Sequence, residues 1–170
     1  MAHSNPFFPF HSESDRDYNA WLGLYVRNSS SLECCLYDII IILDRQNITP
    51  KIEPNKPISF TKKLKLIRVA FSTTRSLSHE KEEMIAILEF AKKESFFRHD
   101  LVHGINAQFL KVDPLHTLMW RPELIGINPA ASDLLHVTQP DLEEHYHEVS
   151  MAIHALLGVC HRLMDKYDKK

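Results

Sequence analysis

The feature that most constrains the fold is a set of apolar residues near the start of the chain that recur at steps of three and four. They are Tyr18, Trp21, Leu22, Tyr25, Leu32, Cys35, Leu36, Ile39, Ile40 and Leu43. Such spacing lines one face of a helix, because 3.6 residues make a turn. It predicts one amphipathic helix over residues 15–46, with Ser14 and Asp17 as an N-terminal capping box that uses Asp in place of Glu.

Three later segments carry the same kind of helical pattern. Ser59 is expected to cap a second helix, and Ser78 is expected to open a third that ends at Gly104. Thr138, followed by Pro140 and acidic residues, is expected to start a fourth helix that runs toward the C-terminus. Three prolines within residues 50–57 cannot continue a helix, so the connection before Ser59 is expected to be a loop.

The pattern changes between the third and fourth helices. The dipeptide Asp113-Pro114 separates two short runs, which predicts a small β-hairpin that pairs Gln108–Val112 with Leu115–Trp120. Four apolar stripes of matching length must be buried against one another. The predicted fold is therefore mainly α, an antiparallel four-helix bundle with a β-hairpin insertion before the last helix. We expect a single domain over residues 14–168 and a flexible segment over residues 1–13.

Cysteine usage and hydropathy bear on the compartment. The three cysteines, Cys34, Cys35 and Cys160, match neither a disulfide framework nor a zinc pattern, so we expect them to be reduced. The longest aliphatic run, Ile39–Leu43, is too short to cross a bilayer. These features predict a cytoplasmic chain without a membrane partner. A net charge of −2 shows no global basic field of the kind that attracts nucleic acid.

Titratable residues crowd into the end of the third predicted helix, in the stretch RHDLVHG that begins at Arg98. A histidine can take a proton from a ribose 2′-hydroxyl or give one to a leaving 5′-oxygen. A guanidinium can hold a phosphate with two hydrogen bonds and stabilise its developing charge. However, the five residues from Arg98 to His103 turn about 140° around an ideal helix, so the two side chains converge poorly within one chain.

This combination of R-x-x-x-x-H, a helix end and a helical bundle resembles the HEPN superfamily. The resemblance spans residues 15–168. It implies a metal-independent endoribonuclease of the toxin-antitoxin or phage-defence type, with Arg98 as the phosphate ligand, His103 as the general acid/base and His99 assisting. His99 stands where family members frequently have Asn directly after the arginine. The family habit further implies a homodimer with a shared cleft, an RNA substrate, no cofactor or metal, and a cognate antitoxin or nucleotidyltransferase partner.

Two alternatives to catalysis remain open. Arg98 and His103 could simply cap the last carbonyls of a helix, where cations are favoured. The chain could also be a non-catalytic member of the same fold that binds a nucleotide or another protein. A basic stripe on the second helix is a candidate for RNA binding, although such stripes are usually solvated surface. Its members are Lys62, Lys65, Arg68 and Arg75.

The remaining aromatic and histidine residues are assigned structural or solvent-facing places. Trp21 and Tyr25 lie on the apolar stripe of the first helix and are expected to anchor the core. The last helix holds His145, His147, His154 and His161. The last three of these histidines repeat every seven residues. Seven residues of helix span about 10 Å, which is too far for two of them to bind one metal ion. These histidines are therefore predicted to be solvated, with His147 and Glu148 as outside candidates for the border of a dimer cleft.

Overall fold

The chain is mainly helical, as predicted. A computed structural model describes residues 13–49, 58–103, 105–106, 116–120 and 134–167. In these ranges the structure has four α-helices: α1 (Glu13–Arg45), α2 (Phe60–Thr73), α3 (Lys81–His103) and α4 (Gln139–Tyr167). It also has three short strands: β1 (Ile105–Asn106), β2 (His116–Trp120) and β3 (Leu134–Thr138). The predicted flexible segment lies outside the described residues except for Glu13, where α1 begins.

Two helix starts follow the predicted capping residues. The Ser59 hydroxyl accepts a hydrogen bond from the Lys62 amide over 3.4 Å at the start of α2. At the start of α4, the Thr138 amide donates to Asp141 Oδ2 over 2.7 Å, and the Asp141 amide donates to the Thr138 hydroxyl over 3.3 Å. This reciprocal pair is a capping box with Asp at its third helical position. Both residues satisfy amides that the helix itself leaves without a bond.

Two other predicted starts are wrong. Helix α1 begins at Glu13, one position before the predicted capping residue Ser14, whose side chain lies outside the described residues. Ser78 does not open α3, since Arg75–Leu77 form a 3₁₀ turn and the Ser78 amide donates to the Arg75 carbonyl. The first α3 bond instead runs from the Met84 amide to the Glu80 carbonyl over 3.0 Å.

The end of α1 is a Schellman motif. The Ile48 amide donates to the Leu43 carbonyl and the Asn47 amide donates to the Asp44 carbonyl, each over 2.9 Å. Asn47 has a φ of 55°, a left-handed conformation that asparagine tolerates better than most side chains. The helix therefore ends five positions before Pro50, through its own backbone bonds, and the predicted loop over residues 50–57 lies outside the described residues.

The three strands form one antiparallel sheet in the order β1-β2-β3. Ile105 pairs with Trp120 in the first ladder, and His116 pairs with Thr138 in the second. Strand β2 coincides with the predicted second hairpin strand, whereas Gln108–Val112 lies outside the described residues. Strand β3 was not predicted. Because β3 ends at Thr138, the same residue closes the sheet and caps α4.

The chain divides into two compact units, which are described separately. Unit 1 consists of Met1–Arg27 and Phe97–Tyr146, and it contains the three strands, the first turns of α1 and α4, and the last turns of α3. Unit 2 consists of Asn28–Phe96 and His147–Lys170. The prediction of a single domain over residues 14–168 stays a prediction.

The core of unit 2 is built from the predicted stripes. All four helices contribute fully or almost fully buried side chains: Leu36, Ile39, Ile40, Leu43, Ile67, Phe71, Met84, Leu88, Leu156 and Leu163. Each such side chain stabilises the folded state by roughly 1.5–3 kcal/mol relative to an exposed one. These contacts make α1 an integral part of the core of unit 2.

Helix directions within unit 2 follow from its side-chain contacts. Arg68 of α2 pairs with Glu89 of α3, and Glu83 of α3 pairs with Arg162 of α4. Lys166 Nζ also lies 3.9 Å from Glu80 Oε2, so later positions of α4 meet earlier positions at the start of α3.

Helices α1 and α4 run in the same direction in unit 2. Asn28 Nδ2 donates to Ser150 Oγ over 2.7 Å, and Cys35 lies close enough to Cys160 to raise the pKa of its thiol. In an antiparallel pair, the α4 residue that faces Cys35 would lie before Ser150 rather than ten positions after it. The α1/α4 pair therefore departs from a bundle in which all neighbours are antiparallel.

Candidate functional site

The last turns of α3 carry the RHDLVHG stretch in unit 1. Arg98 is half-buried, and its Nε atom is inaccessible to solvent. His99 is exposed, and Asp100 is half-buried. The helix continues through His103, whose side chain lies outside the described residues. The structure therefore places Arg98 against the protein and His99 toward solvent on adjacent positions of one helix end.

The path of the helix decides how Arg98 and His103 are related within one chain. Because α3 stays helical up to His103, the two positions are five helical steps apart. Such a segment rises about 7.5 Å and turns about 140°. The helix does not unwind between these two positions, so they lie on different sides of α3.

An aromatic cluster in unit 1 includes Phe97, the residue before Arg98 in the sequence. It consists of Tyr25 on α1, Phe97 on α3 and His145 on α4. The Phe97 and His145 rings are stacked, with centroids 3.7 Å apart and planes inclined by 14°. Tyr25 meets both rings edge-on, at 5.4 Å from Phe97 and 6.0 Å from His145. Offset-stacked and edge-to-face arrangements are those that aromatic quadrupoles favour.

The aromatic cluster corrects one prediction and confirms others. His145 is half-buried in ring contacts, so the prediction that it is solvated is wrong. His147, His154 and His161 are exposed, as predicted. The signal for His145 was present in the sequence, because it precedes the fully buried Val149 by four residues and so falls on the apolar face of α4.

The two aromatic anchors of α1 lie where the stripe predicts. Tyr25 is fully buried. Trp21 is half-buried and meets the Tyr146 ring edge-on, with centroids 5.6 Å apart. Both anchors therefore hold the start of α1 against the start of α4 inside unit 1.

The basic stripe on α2 lies in unit 2 and is only partly available to a ligand. Lys62, Lys65 and Arg75 are exposed, whereas Arg68 pairs with Glu89. Lys62 and Lys65 also border a mostly apolar cavity of about 390 Å³, here called the α2 groove. Its other lining residues are Ile48, Thr49, Leu66, Val69 and Ala70. Two of the four stripe residues, Lys62 and Lys65, therefore also line the rim of an apolar groove.

The cysteines are free, and they differ in environment. Cys34 is exposed, Cys35 is half-buried and Cys160 is buried. Burial raises the pKa of the Cys160 thiol to about 11, and the proximity of Cys35 and Asp38 adds to this effect. Burial also raises the pKa of Cys35, with Asp38 and Cys34 adding to the shift. The buried Cys160 thiol is therefore a poor nucleophile at neutral pH, because the thiolate is the reactive form.

Across the parts of the chain that the structure describes, no helix has the length and apolar character needed to cross a membrane. Comparison of the chain with family models, with curated proteins and with solved structures gives no match.

Proposed function

We propose that the chain is a metal-independent endoribonuclease of the toxin-antitoxin or phage-defence type, as its resemblance to the HEPN superfamily implies. The observation that supports this proposal most directly is the state of Arg98. Its Nε atom is inaccessible to solvent while the adjacent His99 is exposed. An arginine held in this way is pre-organised to bind a phosphate, because less side-chain freedom is lost on binding.

The proposed reaction uses the substrate's own 2′-hydroxyl. An imidazole takes the hydroxyl proton, the 2′-oxygen bonds to phosphorus, and the bond from phosphorus to the 5′-oxygen breaks. The leaving 5′-oxygen receives a proton, and the products are a 2′,3′-cyclic phosphate and a 5′-hydroxyl. His103 serves as the general acid/base, Arg98 stabilises the charge on the phosphate, and His99 assists. DNA lacks the 2′-hydroxyl, so RNA is the expected substrate.

A homodimer and a HEPN-like bundle are part of the same proposal. The divergence of Arg98 and His103 along α3 favours a site in which the motifs of two chains face a shared cleft across a two-fold axis. The contacts of α3 with α4 support such a bundle, whereas the parallel α1/α4 pair requires a crossover connection. Light scattering at micromolar concentration tests the dimer, and a strictly monomeric species would contradict the shared cleft.

One incubation tests the catalytic proposal. Purified protein is mixed with total RNA in EDTA, beside the Arg98→Ala and His103→Ala variants and a control, His154→Ala, that removes an exposed α4 histidine. Cleavage that leaves 2′,3′-cyclic phosphate ends, vanishes in the first two variants and persists in the control is the expected result. No cleavage, or equal cleavage by all four proteins, would overturn the assignment.

A second candidate function, a protein-interaction module of the same fold, is favoured by the α2 groove. The groove has an apolar lining, Val69 in it is 50% exposed, and Lys62 and Lys65 border it. Apolar concavities with charged rims fit peptide segments that combine aliphatic and acidic side chains, whereas RNA gains little from an aliphatic lining. An antitoxin or nucleotidyltransferase that carries such a segment is the proposed occupant.

Thermal unfolding separates the two candidates. If Arg98→Ala and His103→Ala each lower the melting temperature strongly, the pair serves the fold, and the interaction module gains support. Near-unchanged melting temperatures combined with loss of RNA cleavage support the ribonuclease.

A further inference from the structure

Three side chains of types that bind metal ions lie close together on α3 and α4. They are Glu94 on α3 and His145 and Glu148 on α4. One ligand atom from each residue, a ring nitrogen or a carboxylate oxygen, lies within 4.8 Å of the other two. The two α4 residues are three positions apart, which makes them neighbours on the helix surface. One nitrogen and two oxygens therefore converge on a region small enough for a single ion.

The burial of Glu94 gives this cluster a need for positive charge. Glu94 is only 2% exposed, whereas His145 and Glu148 are half-buried. A carboxylate is costly to bury unless it is paired or coordinates a metal ion, and two carboxylates at this separation repel each other. Within the three residues, a protonated imidazole leaves a total charge of −1. A divalent cation beside a neutral imidazole brings that total to zero.

The ring contacts of His145 are compatible with metal coordination. Phe97 stacks on a face of the imidazole, with ring centroids 3.7 Å apart. A metal ion instead binds a ring nitrogen from the edge of the imidazole, at about 2.0–2.1 Å. Stacking and coordination therefore use different parts of the ring. The stack also holds the imidazole in one orientation, so less conformational freedom is lost when an ion binds.

The donor set indicates the class of ion. Imidazole nitrogen and carboxylate oxygen are both ligands of zinc, at about 2.0–2.2 Å. Two donors at that distance from a tetrahedral ion lie about 3.4 Å apart. Atoms within 4.8 Å of one another reach this separation when side-chain rotation closes the gap by about 1.4 Å or less. Three protein ligands leave a fourth position for water.

We infer that Glu94, His145 and Glu148 form a binding site for a divalent transition-metal ion, with Zn²⁺ as the expected occupant. The bound ion links α4 to a carboxylate that lies four positions before Arg98 on α3. Because only the folded chain brings the three ligands together, binding stabilises the folded state. The site is separate from the proposed RNA cleavage, which uses no metal.

Titration with Zn²⁺ tests the site. The full chain is freed of metal with EDTA, the chelator is removed, and binding is measured by isothermal titration calorimetry. Glu94→Gln and Glu148→Gln each remove a charged ligand at nearly constant size. The matched control is Glu144→Gln, which makes the same change at an exposed position of α4. Loss of an outer partner of a metal site already costs roughly ten- to a hundredfold in affinity. We expect each ligand variant to bind Zn²⁺ at least tenfold more weakly and the control to match the wild type.

A second readout separates this site from the exposed histidines of α4. Co²⁺ is added in place of Zn²⁺, and tetrahedral coordination is followed by visible absorption. His145→Phe can keep the stack on Phe97 but has no nitrogen to bind an ion, so it should lose the absorption bands. His147→Phe makes the same change at an exposed position and should keep them. Circular dichroism identifies any variant that does not fold, and the remaining ligand variants then decide.

Each outcome has a defined meaning. Weaker binding by the ligand variants, with both controls unchanged, supports the inference. A wild-type chain that binds no Zn²⁺ at millimolar concentration overturns it. Equal binding by the wild type and the ligand variants assigns the ion to other groups and also overturns it. Because RNA cleavage is assayed in EDTA, these results leave the proposed ribonuclease untouched, and a failure of RNA cleavage leaves the metal site standing.

Discussion

The ring contacts of Phe97 make a quantitative prediction about stability. The substitution Phe97→Leu keeps an apolar side chain of similar bulk but removes the stacked pair with His145 and the edge-to-face pair with Tyr25. Each aromatic pair is worth about 0.5–1.5 kcal/mol beyond the burial of its area. Their combined loss should therefore lower the free energy of unfolding by about 1–3 kcal/mol. In a domain of this size, each kcal/mol lowers the melting temperature by roughly 2–4 °C.

The neighbouring phenylalanine supplies the control. Phe96 is 63% exposed, and Phe96→Leu makes the same chemical change on the same turn of α3. Exposed substitutions usually stay within about 0.5 kcal/mol. Thermal melts of wild type and both variants, followed by circular dichroism, give the comparison. Equal shifts for the two variants, or no shift for Phe97→Leu, would refute the claim that the ring pairs stabilise unit 1.

Three further predictions concern the core, a helix cap and a buried thiol. Leu156→Ala empties a fully buried position and should cost about 2–5 kcal/mol, whereas Leu157→Ala, at a position 40% exposed, should cost much less in urea unfolding. Ser59→Ala removes the acceptor of the Lys62 amide and should lower stability by about 1 kcal/mol; an unchanged urea midpoint would contradict this capping role. A pKa of about 11 against an ordinary 9.0 leaves the Cys160 thiolate about a hundredfold less populated at neutral pH, so a thiol reagent should label Cys160 only after denaturation. Because the folded pKa is the higher one, the contribution of this thiol to stability is complete below pH 9 and is lost as the pH rises through about 11. In thermal melts between pH 9 and 11, the melting temperature of Cys160→Ala should fall less than that of the wild type. Equal falls for the two proteins would contradict the raised pKa of Cys160.

Helical periodicity made most of the fold predictable. The α1 stripe was identified over nearly its whole length, since a buried face must repeat every three or four residues. The capping residues Ser59 and Thr138 were found because side chains that satisfy free helix amides belong to a short list of types. The start of α3 was misplaced by two residues, because a serine is also compatible with the end of the 3₁₀ turn that precedes the helix.

Local sequence patterns did not predict the contacts between segments that are distant in the chain. Strand β3 is only five residues long, and its last residue is the cap of α4. The alternation of apolar and polar residues along it is therefore too short to predict a strand. The parallel course of α1 and α4 depends on the route of the loop between α1 and α2, which periodicity does not specify. The spacing of His145 to the buried Val149 indicated its burial, but not its partner ring, because Phe97 lies on another helix.

The hydrogen bond between Asn28 and Ser150 has a consequence for the order in which the protein can fold during synthesis. It joins positions 122 residues apart in the chain, so the α1 face that α4 covers in unit 2 has no cover until the last helix emerges. At roughly 5–20 residues per second, the ribosome needs about 6–24 s to add that stretch. During this interval Ile39, Ile40 and their apolar neighbours have only α2 and α3 to pack against. The nascent chain therefore exposes the apolar face of α1 for several seconds, and we expect chaperones that recognise apolar segments to bind it.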